Sequence, residues 1–500
     1  MSPPLPTELG FCKVVEDFLS PAECQALIRR AETAGFRAAV DDYPPSYRDN
    51  DRLVVDDPAL ARQLFARLTP HAPASLVVDD AAGAREPWSL TQLNERLRFC
   101  RYRAGQQFQL HQDGVFHLDE QQQSRLTFMV YLTDGSAFSG GDTLFYARGP
   151  SAAGAPPVVA RVRPRAGMLI LFDHGLWHAG EPVTRGLKHI LRSDLIYRRA
   201  RRDAPAPFVG HQGYVWTLAR LARGIASGGR DRAIRLWSDD GVGNGVLSGH
   251  TQSVLGLVAC GPQHLASVSR DRTLKLWDLS TQRCLHSVVA HRAAALCVAA
   301  VPGGALATGG ADHEINLWLE DARRDGTLRG HTGWVWALAV LAARAASAPE
   351  RDQHPTSLLA SASEDGTVRL WNLAQRTCCA VLPGHVPLRT ITVAPDQTCL
   401  ASGDNRGRVQ LWTDLSTRPR LCGSFAAHDA AVRRLVFLDA HTLASAGEDG
   451  LVRTWRRSDL TLRSEARHGN FATDVLAVGE DRFVSCAYDG KLMVHHRRAA

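Results

Sequence analysis

A spacing of about forty residues recurs through the second half of the chain, and few folds can satisfy it. Trp237, Trp277, Trp318, Trp371, Trp412 and Trp455 follow one another in steps of 40, 41, 53, 41 and 43 residues, and a further step of 40 reaches His495. Six positions ahead of these seven markers stand Asp231, Asp271, Asp312, Asp365, Arg406, Asp449 and Asp489. Ten positions ahead stand Ser227, Ser267, Thr308, Ser361, Ser402, Ser445 and Ser485. Further upstream come His211, His250, His291, His331, His385, His428 and His468. A repeat of this length is one supersecondary unit that cannot bury its apolar face alone, so neighbouring units must stack. Seven units are predicted, with AARAASAPERDQHPTS, inside the one long step, as a loop insertion.

Gly249-His250 through Trp277-Asp278 resembles the WD-repeat family, and the resemblance covers about residues 205 to 497. It implies a seven-bladed β-propeller in which His, Asp, Ser/Thr and Trp share buried hydrogen bonds, because buried polar groups are tolerated when paired. These histidines recur at blade spacing rather than ligand spacing, so they are read as structural and not as metal sites. Arg406 stands where an Asp is expected and His495 where a Trp is, which predicts looser fifth and seventh blades. The last unit ends at its third strand, and PFVG at 207–210 is expected to supply the missing outer one and close the ring.

Five hundred residues exceed one hydrophobic core, and 45% apolar with 22% charged residues is ordinary for globular protein. The N-terminal stretch has no apolar signal region, and the longest apolar run, Trp334 to Ala343, is far short of a membrane span. The eleven cysteines form no CxxC pair, so neither a zinc ribbon nor a disulfide framework is expected. A cytoplasmic protein without membrane association is the resulting expectation. The net charge is only +7, and local basicity concentrates in Arg198, Arg199, Arg201 and Arg202 with no nucleic-acid motif beside it. That cluster reads as a linker, and no nucleic-acid partner is expected.

Ahead of the repeats, Ser20-Pro21-Ala22-Glu23 is a capping box predicting a helix that stops near Gly35, and Asp57-Pro58 opens a second through about Leu68. The first hundred residues are otherwise expected to be a lead-in. From Leu97 to Tyr197 the pattern alternates as in a β-sandwich or short barrel. Within it stands His111-Gln112-Asp113, and residues two apart on a strand share a face. A third ligand is available as His174 or His178 in LFDHGLWHAGEPVTRGLK. Two histidines and one carboxylate leave positions open for a chelating cosubstrate and dioxygen, which suits Fe(II), with zinc as the second choice. His117 and Cys100 read as structural.

The spacing goes further: Tyr102 precedes His111 by nine residues, Gly140-Gly141-Asp142-Thr143 stands between the two histidine segments, and His178 precedes Lys188 by ten. In this combination the segment 95–198 resembles the prolyl 4-hydroxylase-like branch of the 2-oxoglutarate oxygenases, and RDNDR at 48–52 resembles the lead-in of some bacterial members. The resemblance implies that His111, Asp113 and His178 bind iron, that Lys188 pairs with the distal carboxylate of 2-oxoglutarate, and that Tyr102 donates to it. Arg192 competes with Lys188, since the two stand at even spacing. The fold expected is mostly β: a double-stranded β-helix (jelly-roll) oxygenase domain with N-terminal helices over residues 1–200, a basic linker at 201–204, and the propeller over 205–497. The implied chemistry is a dioxygenase hydroxylating a C–H bond with Fe(II), 2-oxoglutarate, molecular oxygen and ascorbate. The expected substrate is a protein or peptide, prolyl by analogy, brought by the propeller. A small-molecule substrate and a non-catalytic scaffold are the alternatives.

Overall fold

The structure, a computed structural model, describes residues 10–38, 49–79, 85–116, 118, 122–149, 156–199, 210–341, 357–384, 386–415, 418–479 and 481–497. It divides into two compact units, one holding the described residues up to Arg199 and the other those from Gly210 onward.

In the first unit both helices begin and end where their caps dictate. Ser20 Oγ accepts from the Glu23 N–H while the Glu23 carboxylate accepts from the Ser20 N–H at 2.8 Å, and helix Pro21–Ala34 closes at Gly35 with φ of 86°. Asp57 caps helix Pro58–Leu68 by accepting from the Leu60 N–H. Their buried residues, among them Ala31, Leu64 and Leu68, pack on one face of a nine-stranded antiparallel sheet. Its order is Cys12–Val15, Leu169–Asp173, Gln122–Tyr131, Lys188–Arg199, Arg96–Tyr102, Asp51–Asp56 and Arg37–Ala38, with Arg85–Leu93 also joined to Lys188–Arg199 and Ser75–Asp79 joined to it. The lead-in thus contributes strands as well as helices, a difference from expectation. Runs such as DRLVVD are too short, and too close to strong helix caps, to stand out by alternation.

Side-chain parity divides this sheet cleanly. Leu97, Phe99, Leu126, Phe128, Val130, Leu191 and Leu195 face the helices. Cys100, Tyr102, Met129, Tyr131, Ile170, Phe172 and Ile190 face the other way and pack with a second sheet. That second sheet runs Val158–Val162, Thr143–Tyr146, Trp177–Gly180, Phe108–His111. Two sheets face to face with helices on one outer side make this a jelly-roll-like fold.

The second unit contains seven sheets among the described residues, six of four strands and a last one of three, Ala472–Ala477, Arg482–Ala487 and Leu492–His496. The last sheet meets the first: Thr473 Oγ1 donates to Val215 O at 2.5 Å, and the Leu218 N–H donates to Asp474 Oδ2 at 2.8 Å. Val215, Leu218, Trp237, Val484 and Cys486 share one apolar cluster across that junction. The predicted outer strand at PFVG falls almost wholly outside the described residues, as do most of the expected insertion loop, His117 and His385.

Inside the blades the polar chain is as the repeat required. His250 Nδ1 meets Asp271 at 2.9 Å and its Nε2 meets Ser267 Oγ at 2.7 Å, while Trp277 Nε1 donates to the same hydroxyl at 2.8 Å. Equivalent chains run through His211, His291, His331 and His428. In the fifth blade the Trp412 to Ser402 bond stretches to 3.4 Å. Asp404, two residues before Arg406, takes over the turn there by accepting from the Arg406 and Arg408 N–H groups. In the seventh, His468 stands 3.4 Å from Asp489 and His495 Nε2 replaces the indole at 2.6 Å from Ser485 Oγ. All eleven cysteines are free. No helix among the described residues is long and apolar enough to cross a membrane.

Candidate metal centre

His111 ends the strand Phe108–His111, and Asp113 lies just beyond it, so strand parity is not what aligns the pair. A hydrogen bond from the Asp113 N–H to His174 O at 3.0 Å does that instead. His178 sits on the adjacent strand Trp177–Gly180, directly opposite His111 in the antiparallel ladder. Ligand atoms of His111, Asp113 and His178 lie within 4.8 Å of one another, and no other group of three His, Cys, Asp or Glu among the described residues could hold a metal ion. The three side chains are buried.

The two imidazoles are oriented by the same local device. Each places Nδ1 on the carbonyl two residues earlier, His111 on Gln109 O at 2.7 Å and His178 on Leu176 O at 2.9 Å. This directs each Nε2 toward Asp113, at 3.4 Å from Oδ1 for His111 and 3.7 Å from Oδ2 for His178. With the proton on Nδ1, the Nε2 lone pair is the one presented. Burial, with His111 beside it, pushes the His178 imidazole down to about 3, so it is neutral at pH 7 as a ligand must be. Burial by itself would raise the Asp113 carboxyl, but Arg192 and the two histidines hold it well below the usual carboxylate range. Two imidazoles, of which His178 is held neutral and lines a cavity, together with one ionised carboxylate fit a facial Fe(II) site.

The cavity extends from His178 past Met129, Phe172 and Ile190 to Lys188, Tyr102 and Thr143. Lys188 and Tyr102 are cross-strand partners, and the Lys188 ammonium lies 5.5 Å from the Tyr102 ring centre. Its Nζ donates to Gly141 O at 2.5 Å, and among the described residues it contacts no carboxylate. Burial pushes this amine down to about 8. Gly140 and Gly141 both adopt positive φ, 71° and 73°, and a Cβ on Gly140 would lie 2.2 Å from Pro182 O, which accounts for the paired glycines there.

Arg192 occupies the other end. It shares the inner face with Lys188, as even spacing requires, but its Nη2 lies against Asp113 Oδ1. His174 is buried behind the site with Nε2 at 3.8 Å from Asp194 Oδ1, outside the three-residue group. Cys100 packs in the apolar cluster below the cavity. Two contacts escaped the sequence reading: Thr127 Oγ1 donates to Asp113 Oδ2 at 2.5 Å, and Arg98 spends Nη1 and Nη2 on Asp194 Oδ2 at 2.9 Å. Arg192-Ser193-Asp194 carried a same-face signal, but nothing in the spacing named the partners on other strands.

Residues 97–193 match the family model of the 2OG-Fe(II) oxygenase superfamily. Six further segments, 205–238, 242–278, 282–318, 323–372, 376–413 and 419–456, match the WD domain, G-beta repeat. Nuclear distribution protein PAC1 of Arthroderma benhamiae is 26% identical over 307 residues, 52% of this chain and 60% of that protein. Telomerase protein component 1 of Mus musculus is 33% identical over 215 residues, 40% of this chain and 7% of that protein. DENN domain and WD repeat-containing protein SCD1 of Arabidopsis thaliana is 25% identical over 169 residues, 33% of this chain and 13% of that protein. The chain therefore spans less than two thirds of the length of these relatives, which are WD-repeat proteins. Taken with the buried triad gathered at two adjacent strands and the ring of hydrogen-bonded blades, these matches make the chain a fusion of a 2OG-Fe(II) oxygenase domain with a WD-repeat array.

Proposed function

We propose that the chain is an Fe(II)- and 2-oxoglutarate-dependent dioxygenase that hydroxylates a C–H bond in a protein or peptide recruited by the propeller. One observation carries the reading: His111, Asp113 and His178 converge on one another, and the cavity that His178 lines also holds Lys188, a buried ammonium without an acid in contact among the described residues. A buried cation of that kind calls for an anionic ligand. In this reading His111, Asp113 and His178 hold Fe(II), Lys188 takes the distal carboxylate of 2-oxoglutarate, and Tyr102 donates to it. When bound, iron and 2-oxoglutarate supply the oxidative decarboxylation that activates dioxygen, yielding succinate, carbon dioxide and a hydroxylated product. The chain's own share is to orient: the Nδ1 bonds fix both imidazoles, the sheet interior excludes bulk water, and Met129, Phe172 and Ile190 give the cavity apolar walls. Ascorbate serves as the reductant that restores ferrous iron.

The domain limits proposed are 1–200 for the oxygenase, with its core at 95–198, a linker at 201–204, and 205–497 for the propeller, in a cytoplasmic protein. WD repeats generally mediate protein–protein interaction, and a docked polypeptide raises its local concentration at a weak active site. A prolyl target rests on the spacing resemblance alone. The reading is tested by anaerobic titration of the full chain with Fe(II) and 2-oxoglutarate, which should develop a metal-to-cosubstrate charge-transfer band. Polypeptides captured by the full chain should then gain one oxygen on turnover. A band with hydroxylation confined to small molecules would replace the polypeptide substrate, and absence of the band would end the oxygenase reading.

A further inference from the structure

Asp113 stands on a loop just past a strand end, yet its carboxylate is gripped from two strands of the large sheet. Thr127 Oγ1 donates to Oδ2 at 2.5 Å and the Arg192 guanidinium lies against Oδ1. Arg192 pairs across the ladder with Met129 on one side and Arg98 on the other, and Asp194, two residues on, pairs with Thr127. Arg98 is committed to Asp194 through both terminal nitrogens. Two cations and two carboxylates thus pair off inside the sheet, Arg98 with Asp194 and Arg192 with Asp113, with Arg192 only 13% exposed.

Resting on the oxygenase reading, we propose that Arg192 is a positioning residue that, by holding Oδ1 of Asp113 in an ion pair, keeps that carboxylate from binding the ion through both oxygens. Coordination chemistry supplies the reason. Three protein ligands leave three positions on a six-coordinate ion, two for the keto acid and one for dioxygen. A carboxylate binding through both oxygens would take one of those three. Charge-assisted N–H···O bonds from a guanidinium are directional and strong enough to hold one oxygen aside. The same positive charge repels a divalent ion nearby, so Arg192 weakens metal binding while preserving room for the cosubstrate. Opposite effects on the two ligands are a signature that a purely structural arginine would not produce.

The test uses the full chain and Arg192→Gln. Mn(II) affinity is read by paramagnetic resonance without cosubstrate, and 2-oxoglutarate affinity by the anaerobic Fe(II) charge-transfer band. Arg192→Gln should bind Mn(II) roughly tenfold or more tightly, because a nearby like charge is gone. It should need about tenfold more 2-oxoglutarate to reach half the band. Weaker Mn(II) binding, or unchanged 2-oxoglutarate affinity, overturns the proposal. Should Arg192→Gln not fold by circular dichroism, Arg192→Lys reads the same pair of quantities: charge is retained, so Mn(II) affinity should stay and 2-oxoglutarate affinity should fall. Loss of Mn(II) affinity in that variant overturns the proposal as well. If the unaltered chain gives no band, the oxygenase reading fails and takes this inference with it; if it gives one that Arg192→Gln leaves untouched, this inference fails alone.

Discussion

Both units bury histidines beside aspartates, and the difference between them shows what separates a structural cluster from a metal centre. In the blades, a histidine such as His250 uses both ring nitrogens inside the protein, Nδ1 on Asp271 and Nε2 on Ser267 Oγ, and the tryptophan completes the hydroxyl. Around the first-unit triad, Nδ1 of His111 and of His178 goes to a backbone carbonyl, so that the two Nε2 atoms and the carboxylate of Asp113 are gathered on one side. The same residue types therefore give a closed hydrogen-bond chain in one case and a convergent set of lone pairs in the other. Burial does not distinguish them, since both are buried. What distinguishes them is where the second ring nitrogen points.

The largest effect should come from breaking the convergent set. His111→Ala and His178→Ala should each abolish the charge-transfer band while leaving the thermal unfolding of the propeller unchanged, and Asp113→Asn should lower the iron retained after gel filtration. His174→Ala should keep the band; if it alone removes the band, the ligand assignment is wrong. Breaking a closed chain should do the reverse. Ser267→Ala leaves His250 and Trp277 with unmet buried groups and should destabilise the propeller by about 2–4 kcal/mol in denaturant unfolding, with iron content unaltered. A change in iron binding there would erase the distinction between the two kinds of cluster.

A smaller effect is expected at the far end of the cavity. Lys188→Ala should weaken 2-oxoglutarate by about 10- to 150-fold, the loss of one charge-assisted bond of roughly 1.5–3 kcal/mol, without changing metal affinity. Equal weakening of both ligands would count against a role confined to the cosubstrate. The pH dependence follows from the same group. Because burial lowers this amine to about 8, it carries its charge below that value and loses it above. Cosubstrate affinity should then fall as pH rises through about 8, by up to about tenfold per unit, and Lys188→Arg should flatten the profile. A profile that stays flat in the unaltered chain would place the carboxylate elsewhere. Smallest of all, Ser402→Ala in the fifth blade should cost less than about 1 kcal/mol, since the Trp412 bond it removes is already 3.4 Å long. A loss as large as that of Ser267→Ala would mean the fifth blade is no looser than the second.

Much of this was legible before any coordinates. The forty-residue step and its Ser/Thr, Asp and His offsets each report a contact inside one blade, and contacts between residues ten or twenty apart leave a periodic trace. Helix ends were legible at Ser20 and Gly35 because caps are local chemistry. The His-x-Asp pair was legible as well, though for a reason that needed correction, since Asp113 is set by a bond to His174 O rather than by strand parity. Lead-in strands such as Asp51–Asp56 were missed, because a six-residue strand at that position owes its existence to the ladder with Arg96–Tyr102.

By itself, then, the order of residues determined the seven stacked units, the helix limits, the two-faced strands and the short roster of groups able to meet an ion. Strand parity could not rank His174 against His178, or Lys188 against Arg192; the ten-residue spacing from His178 to Lys188 and the family resemblance favoured those two. Each pair sits four residues apart near one strand, and the period-two rule gives such residues the same face while saying nothing of what lies opposite. Only strand pairing within each sheet put His178 across from His111 and Lys188 beside Tyr102, and only the packing of one sheet on the other set Arg192 against Asp113. Those pairings join residues 67 to 86 positions apart in the chain and depend on which strands become neighbours, a property of the packed sheets rather than of any local pattern.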